Sequence, residues 1–545
     1  MKGLYHGNLF YSILVHQNRY SILSVVCYNK PNAWNGRVAE ALSPREDLYG
    51  ERICKGPGEH GPGAVRKKRR NGRNRYFLEA GRRLRIQVVP RSAAFVLWQP
   101  LFYFPGLAAG IGTGTENRED TDMRQGTKCV QAGYRPGNGE PRQIPIVQST
   151  TFRYDTSEDM GKLFDLEAEG YFYSRLQNPT NDTVAAKICA LEGGSAAMLT
   201  SSGQAANFMA LFNIAGAGDH IVASSSIYGG TFNLIGTTMK RMGVDVTFLS
   251  PDSTYEEIRA AIRPNTKAVF GETIANPALT VLDIETWAKA AHDGGVPLVI
   301  DNTFATPVLC RPIEHGADIV THSTTKYMDG HGASIGGAII DSGNFDWTQN
   351  DRFPGLTTPD ESYHGVVYTE KFGQGGAYIT KATSQLMRDL GCVQSPQNAF
   401  YINLGLESLH LRMKRHSETA LAVAQFLDSH PKVEAVQYAG LPGDKYHALA
   451  EKYLPDGCCG VVSFEIKGGR AAAERVMKAL KTAAIETHVA DARSCCLHPA
   501  SATHRQMTDE QLTECGISPS MIRFSCGLED AQDLIDDLAQ ALEQT

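Results

Sequence analysis

His322-Ser323-Thr324-Thr325-Lys326-Tyr327 lies between an apolar run, Asp318-Ile319-Val320-Thr321, and a glycine-rich one, Gly330-His331-Gly332-Ala333-Ser334-Ile335-Gly336-Gly337. The apolar run reads as a buried strand, which places the lysine just past a strand end. Two hydroxyl residues stand beside it, with a flexible segment close behind. A lysine so placed can attack a carbonyl and form a Schiff base. Taken alone, the motif reads more readily as a surface loop. Its meaning depends on what the rest of the chain brings to the same place.

Outward from that stretch the pattern alternates between short apolar runs and amphipathic ones. Strands are predicted over 196–200, 220–223, 244–249, 268–271, 297–301, 318–322 and 337–340. Helices are predicted over 204–214, 231–242, 254–262 and 284–293. Such alternation predicts an α/β fold, a mostly parallel seven-stranded sheet with helices on both faces. Ligands of such sheets bind at the carboxyl ends of the strands. Residues 186–385 form this expected cofactor domain, of which 341–385 read as a loop-rich insertion. Residues 386–545 read as a smaller α+β domain, with helices over 399–427, 471–480 and 531–542 and a strand over 461–466. Residues 123–185, rich in Pro, Gly and Asn, suit an extended arm lying over a neighbouring subunit.

Residues 1–122 differ in kind. They carry 19 Lys+Arg against 10 Asp+Glu, a net of +9, whereas the remainder carries 34 against 49, a net of −15. A basic run, Arg66-Lys67-Lys68-Arg69-Arg70, precedes a mostly apolar segment, 93–112, broken by Pro100 and Pro105. A membrane anchor, a nucleic-acid or localisation patch, and a disordered, non-native leader ending before Met123 all compete. The leader is the preferred reading, because the segment has neither a signal-peptide layout nor an unbroken hydrophobic span. The expectation is therefore no membrane and no nucleic-acid partner. The 12 cysteines include two adjacent pairs, Cys458-Cys459 and Cys495-Cys496, and no metal-ligand spacing. That pattern predicts reduced thiols in a cytoplasmic protein and no metal.

Four chemically distinct groups fall at predicted strand ends. Ser201-Ser202-Gly203-Gln204 opens a helix, where free N–H groups can receive a phosphate or simply be capped by serine. Tyr228 follows the 220–223 run and can stack on an aromatic ring or merely pack. Asp301 ends the 297–301 run and can keep a pyridinium nitrogen protonated, or serve as a turn residue. Lys326 is the fourth. Each signal is weak alone, but all four are predicted at one edge of one sheet.

From Met123 onward the chain resembles the Cys/Met-metabolism pyridoxal-phosphate enzymes of fold type I. The shared motifs are Gly126-Thr127-Lys128, Gln148-Ser149-Thr150-Thr151-Phe152, Tyr173-Ser174-Arg175, Asn178-Pro179-Thr180, Ser202-Gly203-Gln204-Ala205-Ala206, Asp301-Asn302-Thr303-Phe304 and Ser323-Thr324-Thr325-Lys326. Nearer the end come His498-Pro499-Ala500-Ser501 and Ile522-Arg523-Phe524-Ser525-Cys526-Gly527-Leu528-Glu529. The resemblance implies pyridoxal 5′-phosphate as cofactor, held covalently by Lys326, which would later shuttle protons. It implies Asp301 on the pyridine nitrogen, Tyr228 stacked on the ring and assisting proton transfer, and Ser202, Gly203, Gln204, Ser323 and Thr325 around the phosphate. Glu272 and Asn276 would lie under the ring, with Asn276 near its hydroxyl. Tyr173 and Arg175 would reach the phosphate of a neighbouring subunit, implying a homotetramer with active sites shared across a dimer. Arg523, with Ser494, would clamp the substrate carboxylate; the guanidinium fork suits that task.

Within the family the chain resembles the branch that uses O-acetylhomoserine and sulfide as substrates in a γ-replacement giving homocysteine. Methionine γ-lyase, cystathionine γ-synthase and cystathionine γ-lyase share every cofactor residue and stand as alternatives. Two segments depart from the family pattern. Ala490-Asp491-Ala492-Arg493-Ser494-Cys495 replaces Gly-Asp-Ala-Lys-Ser-Leu, and Tyr327-Met328-Asp329-Gly330 replaces Phe-Ile-Gly-Gly. Asp329 thereby adds a carboxylate close to Lys326.

Overall fold

The computed structural model describes residues 123–503, 505, 508–514 and 517–545, together with four short strands nearer the N-terminus. Leu9–Val15 pairs antiparallel with Leu23–Asn29, and Val65–Arg70 with Arg73–Leu78. These four strands belong to one unit, Met1–Tyr103, and the main fold to another, Phe104–Thr545. The second hairpin gives the basic run a strand that sequence periodicity did not suggest. Otherwise the leader reading of 1–122 and the apolar run 93–112 lie outside the described residues. Among the described residues, no helix is long and apolar enough to cross a membrane.

The main sheet has seven strands: β1 (Ala196–Thr200), β2 (His220–Ser224), β3 (Asp245–Leu249), β4 (Thr266–Glu272), β5 (Leu298–Asp301), β6 (Ile319–His322) and β7 (Gly337–Asp341). Their spatial order is β1-β7-β6-β5-β4-β2-β3. The pairs β2·β3, β2·β4, β4·β5 and β5·β6 are parallel, and only β7 runs against its neighbours. Strands β2, β5, β6 and β7 are buried along their whole length. Helices therefore cover both faces, and these strands read as continuous apolar runs rather than alternating ones. All seven predicted strands form, with ends displaced by two residues at most.

One sequence expectation fails instructively, and a second gains detail. Residues 341–385, read as loop-rich, hold the helices Pro354–Thr357, Tyr368–Phe372 and Gln374–Lys381, and a π-helical segment begins at Ala382. Gly373 (φ +67°) separates two of these helices. Trp347 and Tyr378 are fully buried there and stack 5.2 Å apart. Residues 123–185, read as an extended arm, contain the helices Gln125–Gln131 and Ser157–Phe164 and the start of α1 (Pro179–Glu192). Asn178, before Pro179, is the N-cap of α1. Asn178 accepts from Thr180 N at 3.0 Å, and proline occupies the first turn, where its missing N–H costs nothing.

The second sheet, ordered β8-β9-β12-β11-β10, comprises β8 (Val433–Gln437), β9 (Val461–Ile466), β10 (Ala484–Ile485), β11 (Cys495–Leu497) and β12 (Met521–Ser525). Between the two sheets in sequence runs the 34-residue helix α3 (Pro396–Ser429); α2 (Gly203–Phe212) follows β1. One apolar cluster includes residues of β6, α3 and β9 alike, so the two sheets share a core.

Helix α3 meets the Lys326 turn at Gly405. A Cβ there would strike the backbone carbonyls of Met328 and Asp329. Gly405→Ala should therefore destabilise the protein by about 2 kcal/mol, outweighing the helix-propensity gain of about 1 kcal/mol. The denaturation midpoint measures this, and an unchanged or raised midpoint would show that the contact gives way freely.

Candidate functional site

The carboxyl ends of β1, β2, β4, β5 and β6 converge, and each delivers one chemical group. After β1, Ser202 caps α2 by accepting from Ala205 N at 3.1 Å. Gly203 lies so close to Ser323 that any Cβ would enter its side chain. The helix start and the hydroxyl before Lys326 therefore line one cradle, which only glycine leaves open. Gln204 Nε2 donates to Thr231 Oγ1 at 3.3 Å, while its Oε1 is buried with no partner.

Asp301 ends β5, and its two oxygens are held differently. Oδ2 accepts from Asn207 Nδ2 at 3.0 Å, and Oδ1 accepts from Thr303 Oγ1 at 2.5 Å and Thr303 N at 3.0 Å. Asn207 is oriented in turn by Thr321 Oγ1, which donates to its Oδ1 at 2.6 Å. Thr303 Oγ1 also accepts from Ser323 N at 2.8 Å, which links the carboxylate to the lysine turn. On the paired strand, Glu272 lies opposite Asp301. Burial, then the charge of Asp301, raise its carboxyl well above the ordinary range and favour its neutral form. Glu272 accepts from Tyr228 N at 2.7 Å. Tyr228 itself is 47% exposed, so its ring face is free to receive a planar ligand.

Lys326 follows β6. Burial, then the charge of Arg523, lower its amine to about 8. Its Nζ lies 3.2 Å from His488 Nδ1. Arg523 on β12 is buried. Its Nη1 donates to Asn276 Oδ1, and its Nη2 to the carbonyls of Thr487 and His488, all at 3.2 Å. Its Nε is buried without a partner.

The structure thus brings Lys326, Asp301, Tyr228, Asn276 and Arg523, together with Ser202, Gly203, Gln204 and Ser323, to one sheet edge. Thr325 is near, but its hydroxyl donates to Gly336 O at 3.1 Å and accepts from Gly336 N at 3.0 Å, closing the loop on itself. Ser494 departs further from the sequence reading. Its hydroxyl donates to Glu529 Oε2 and accepts from Gly527 N, both at 2.8 Å, so a neighbouring carboxylate and backbone amide occupy it. Tyr173 and Arg175 are exposed, with the guanidinium carbon 4.9 Å from the ring centroid. Asp329 is buried. It accepts from His331 N at 3.2 Å and Ala333 N at 2.9 Å, and its charge supports that of Arg412. It therefore holds the loop beyond Lys326. His488 and Asn207 escaped sequence reading. Asn207 carried a usable signal, one helical turn after Gln204; His488, 162 residues from Lys326, carried none.

The cradle fits pyridoxal phosphate on three counts. The glycine at its floor cannot carry a side chain, Asp301 supplies a buried carboxylate linked through Thr303 to Ser323, and Gln204 Oε1, His488 Nε2 and Arg523 Nε are buried polar atoms without partners. Such atoms cost about 1–3 kcal/mol each unless a ligand satisfies them.

Comparison with known proteins agrees. Residues 126–543 match the profile described as Cys/Met metabolism PLP-dependent enzyme. The chain is 47% identical over 410 residues to an O-acetyl-L-homoserine sulfhydrylase of Leptospira meyeri, covering 74% of this chain and 92% of that one. It is 46% identical over 420 residues to a homocysteine synthase of Schizosaccharomyces pombe, covering 76% and 97%. A solved Campylobacter jejuni structure, named as an O-acetylhomoserine (thiol)-lyase and carrying an N′-pyridoxyl-lysine-5′-monophosphate, superposes with a TM-score of 0.75 at 36% identity, covering 77% of this chain and all of that one. With the match spanning most of its length and the site assembled as above, this chain belongs to the Cys/Met-metabolism PLP-dependent enzymes, of fold type I.

Proposed function

We propose that the chain catalyses a γ-replacement, converting O-acetyl-L-homoserine and sulfide to L-homocysteine and acetate. The observation that carries this reading is the buried pair of Lys326 and Arg523 above the strand end that holds Asp301, in a chain 47% identical to a sulfhydrylase of that name. When bound, pyridoxal phosphate supplies an electron sink that acidifies substrate hydrogens at Cα and then Cβ and lets acetate leave from Cγ.

The protein's own part is positional and protic. Lys326 holds the cofactor, and its amine, once freed, takes and returns protons at Cα and Cβ. Asp301 would keep the ring nitrogen protonated, and Asn207 and Thr303 hold both its oxygens in place. Ser202, Gly203, Gln204 and Ser323 receive the phosphate; Thr325 shapes the loop behind them. Tyr228 would cover the ring, and Asn276, which braces Arg523, would lie near its hydroxyl. Arg523 would take the substrate carboxylate through its unpartnered Nε. On this reading residues 186–385 hold the cofactor and 386–545 the substrate's carboxylate. Residues 123–185 lend Tyr173 and Arg175 to a second copy, in a homotetramer; their exposure supports this. The described cysteines are all unpaired, in keeping with a reducing, cytoplasmic setting.

Loaded with pyridoxal phosphate, the purified protein should form homocysteine from O-acetylhomoserine and sulfide, and Lys326→Ala should not. Release of an oxoacid from methionine or cystathionine, with no homocysteine from the first pair, would assign it to the γ-lyases instead. In the apoprotein, labelling of Lys326 with an amine-selective reagent should rise with pH through about 8, below the ordinary lysine value of about 10.4. The lowered value leaves the reactive neutral amine present above that pH and lost below it. Arg175→Ala and Lys326→Ala should each be inactive, whereas a refolded equal mixture should recover about a quarter of wild-type activity, since half the dimers then hold one intact shared site. No recovery would mean that each chain completes its own site.

A further inference from the structure

On the face of the main sheet away from the Asp301 carboxylate, three strand ends are joined through one carboxylate that the proposed chemistry does not use. Glu272, Asp301 and Thr321 form one paired row across β4, β5 and β6, and Asn207 of α2 holds the side chains of the last two. Side chains alternate along a strand, so the next row, Thr273, Asn302 and His322, turns to the opposite face. There Thr273 Oγ1 donates to Asn302 Oδ1 at 2.8 Å, and Asn302 Nδ2 donates to Glu192 Oε1 at 2.9 Å. His322 Nε2 lies 2.5 Å from the same oxygen. Asn302 Nδ2 also donates to the Cys310 carbonyl at 2.9 Å. Glu192 is the last residue of α1, and all four side chains are buried.

We propose that Glu192 is a positioning residue that fixes the spacing between Asp301 and Lys326 from behind the sheet. Asn302 directly follows Asp301, and His322 directly precedes Ser323 in the turn that carries Lys326. Both are held to a single oxygen, which therefore sets how far apart the ends of β5 and β6 stand. A cofactor that must meet Asp301 with its ring nitrogen and Lys326 with its aldehyde needs that separation fixed, because a misplaced reacting pair loses its advantage steeply. The inference rests on the proposed roles of Asp301 and Lys326 and is independent of which γ-reaction follows.

Packing alone does not account for this arrangement. Glu192 Oε2 is buried with no partner, a cost that an apolar residue of similar size would avoid. What the carboxylate offers instead is one acceptor shared by groups from two neighbouring strands, which an apolar contact cannot supply. The backbone ladder between β5 and β6 ends at the same level, with Asn302 N donating to the Thr321 carbonyl at 2.9 Å. Glu192 continues the link on one face, as Thr303 Oγ1 does beside Asp301 by accepting from Ser323 N at 2.8 Å.

Equilibrium binding to the apoprotein tests this with two ligands. Pyridoxal phosphate binds through its ring and by condensing with the Lys326 amine, with loss of water; 4′-deoxypyridoxine 5′-phosphate lacks the aldehyde and binds through its ring alone. Glu192→Leu should weaken pyridoxal phosphate about tenfold or more and the deoxy ligand by no more than about twofold. Glu192→Gln, which keeps an acceptor oxygen, should stay within about threefold of wild type for both. Thr273→Val removes only the outermost link and should show the same selective loss in milder form, about threefold; it decides the matter if Glu192→Leu does not fold. Equal weakening of both ligands would overturn the proposal by showing a purely structural role, and so would no weakening of either. Two controls separate this from the roles beneath it: Lys326→Ala should weaken pyridoxal phosphate alone, and Asp301→Ala both ligands. If the controls bind as wild type does, those roles fall and the inference with them; if the controls behave and Glu192→Leu binds as wild type does, the role of Glu192 alone falls.

Discussion

A buried guanidinium holds the turn on which everything catalytic depends. Arg412, on the long helix α3, donates from Nη1 to the Tyr327 carbonyl and from Nη2 to the Gly405 carbonyl, both at 2.7 Å, and from Nε to Ser408 Oγ at 3.0 Å. Burying such a charge costs several kcal/mol unless its donors are satisfied and an opposite charge is near. Here Asp329 supplies that charge from the same turn. The helix and the turn are thus locked from both sides. Gly405 lets the backbones touch and Arg412 stitches them together. Gly330, at φ +71°, leaves the space that the guanidinium fills. A site that must hold its groups to within about half an ångström needs support of this kind behind the reacting lysine.

That support governs the electrostatics of the site. Lys326 and Arg523 are two buried cationic side chains: burial, then the charge of Arg523, lowers the proton affinity of Lys326, and burial lowers that of Arg523. Opposite them, Asp301 and Glu272 sit across paired strands, where two adjacent negative charges would repel. Burial keeps Glu272 toward its neutral form, in which it caps the Tyr228 amide rather than competing with Asp301. An amine lowered to about 8 suits proton transfer near neutral pH.

The two segments that depart from the family pattern acquire distinct meanings. Asp329 braces the loop beyond Lys326 and the arginine behind it. In the other segment, Ser494 is tied to Glu529 and Gly527, and the exposed Arg493 pairs with the buried Asp491 at 2.9 Å. The residue of that region nearest the lysine is His488, which precedes the motif. Loops joining short strands tolerate such substitution, because their backbone is set by neighbours rather than by the residues themselves.

Much was legible in the chain itself. Continuous apolar runs determined the seven strands, since a sheet covered on both faces has no polar side to alternate with. Lys326, Asp301, Gly203 and Tyr228 were legible because each immediately follows such a run, and the carboxyl edge of a parallel sheet gathers whatever follows its strands. Hidden from sequence was everything set by contacts between distant segments: the 162-residue span from Lys326 to His488, the turn of Ser494 toward Glu529, the closing of Thr325 on Gly336, and the buried Arg412 that joins α3 to the turn. Helices around Gly373 and after Asn178 were obscured for the converse reason, since residues that break structure in isolation also cap and join it. Local pattern settles which elements form and which groups stand at their ends. Only packing decides which hydroxyl stays free, which charge is matched and which imidazole meets the lysine, because those outcomes depend on the space and dielectric that the assembled core creates.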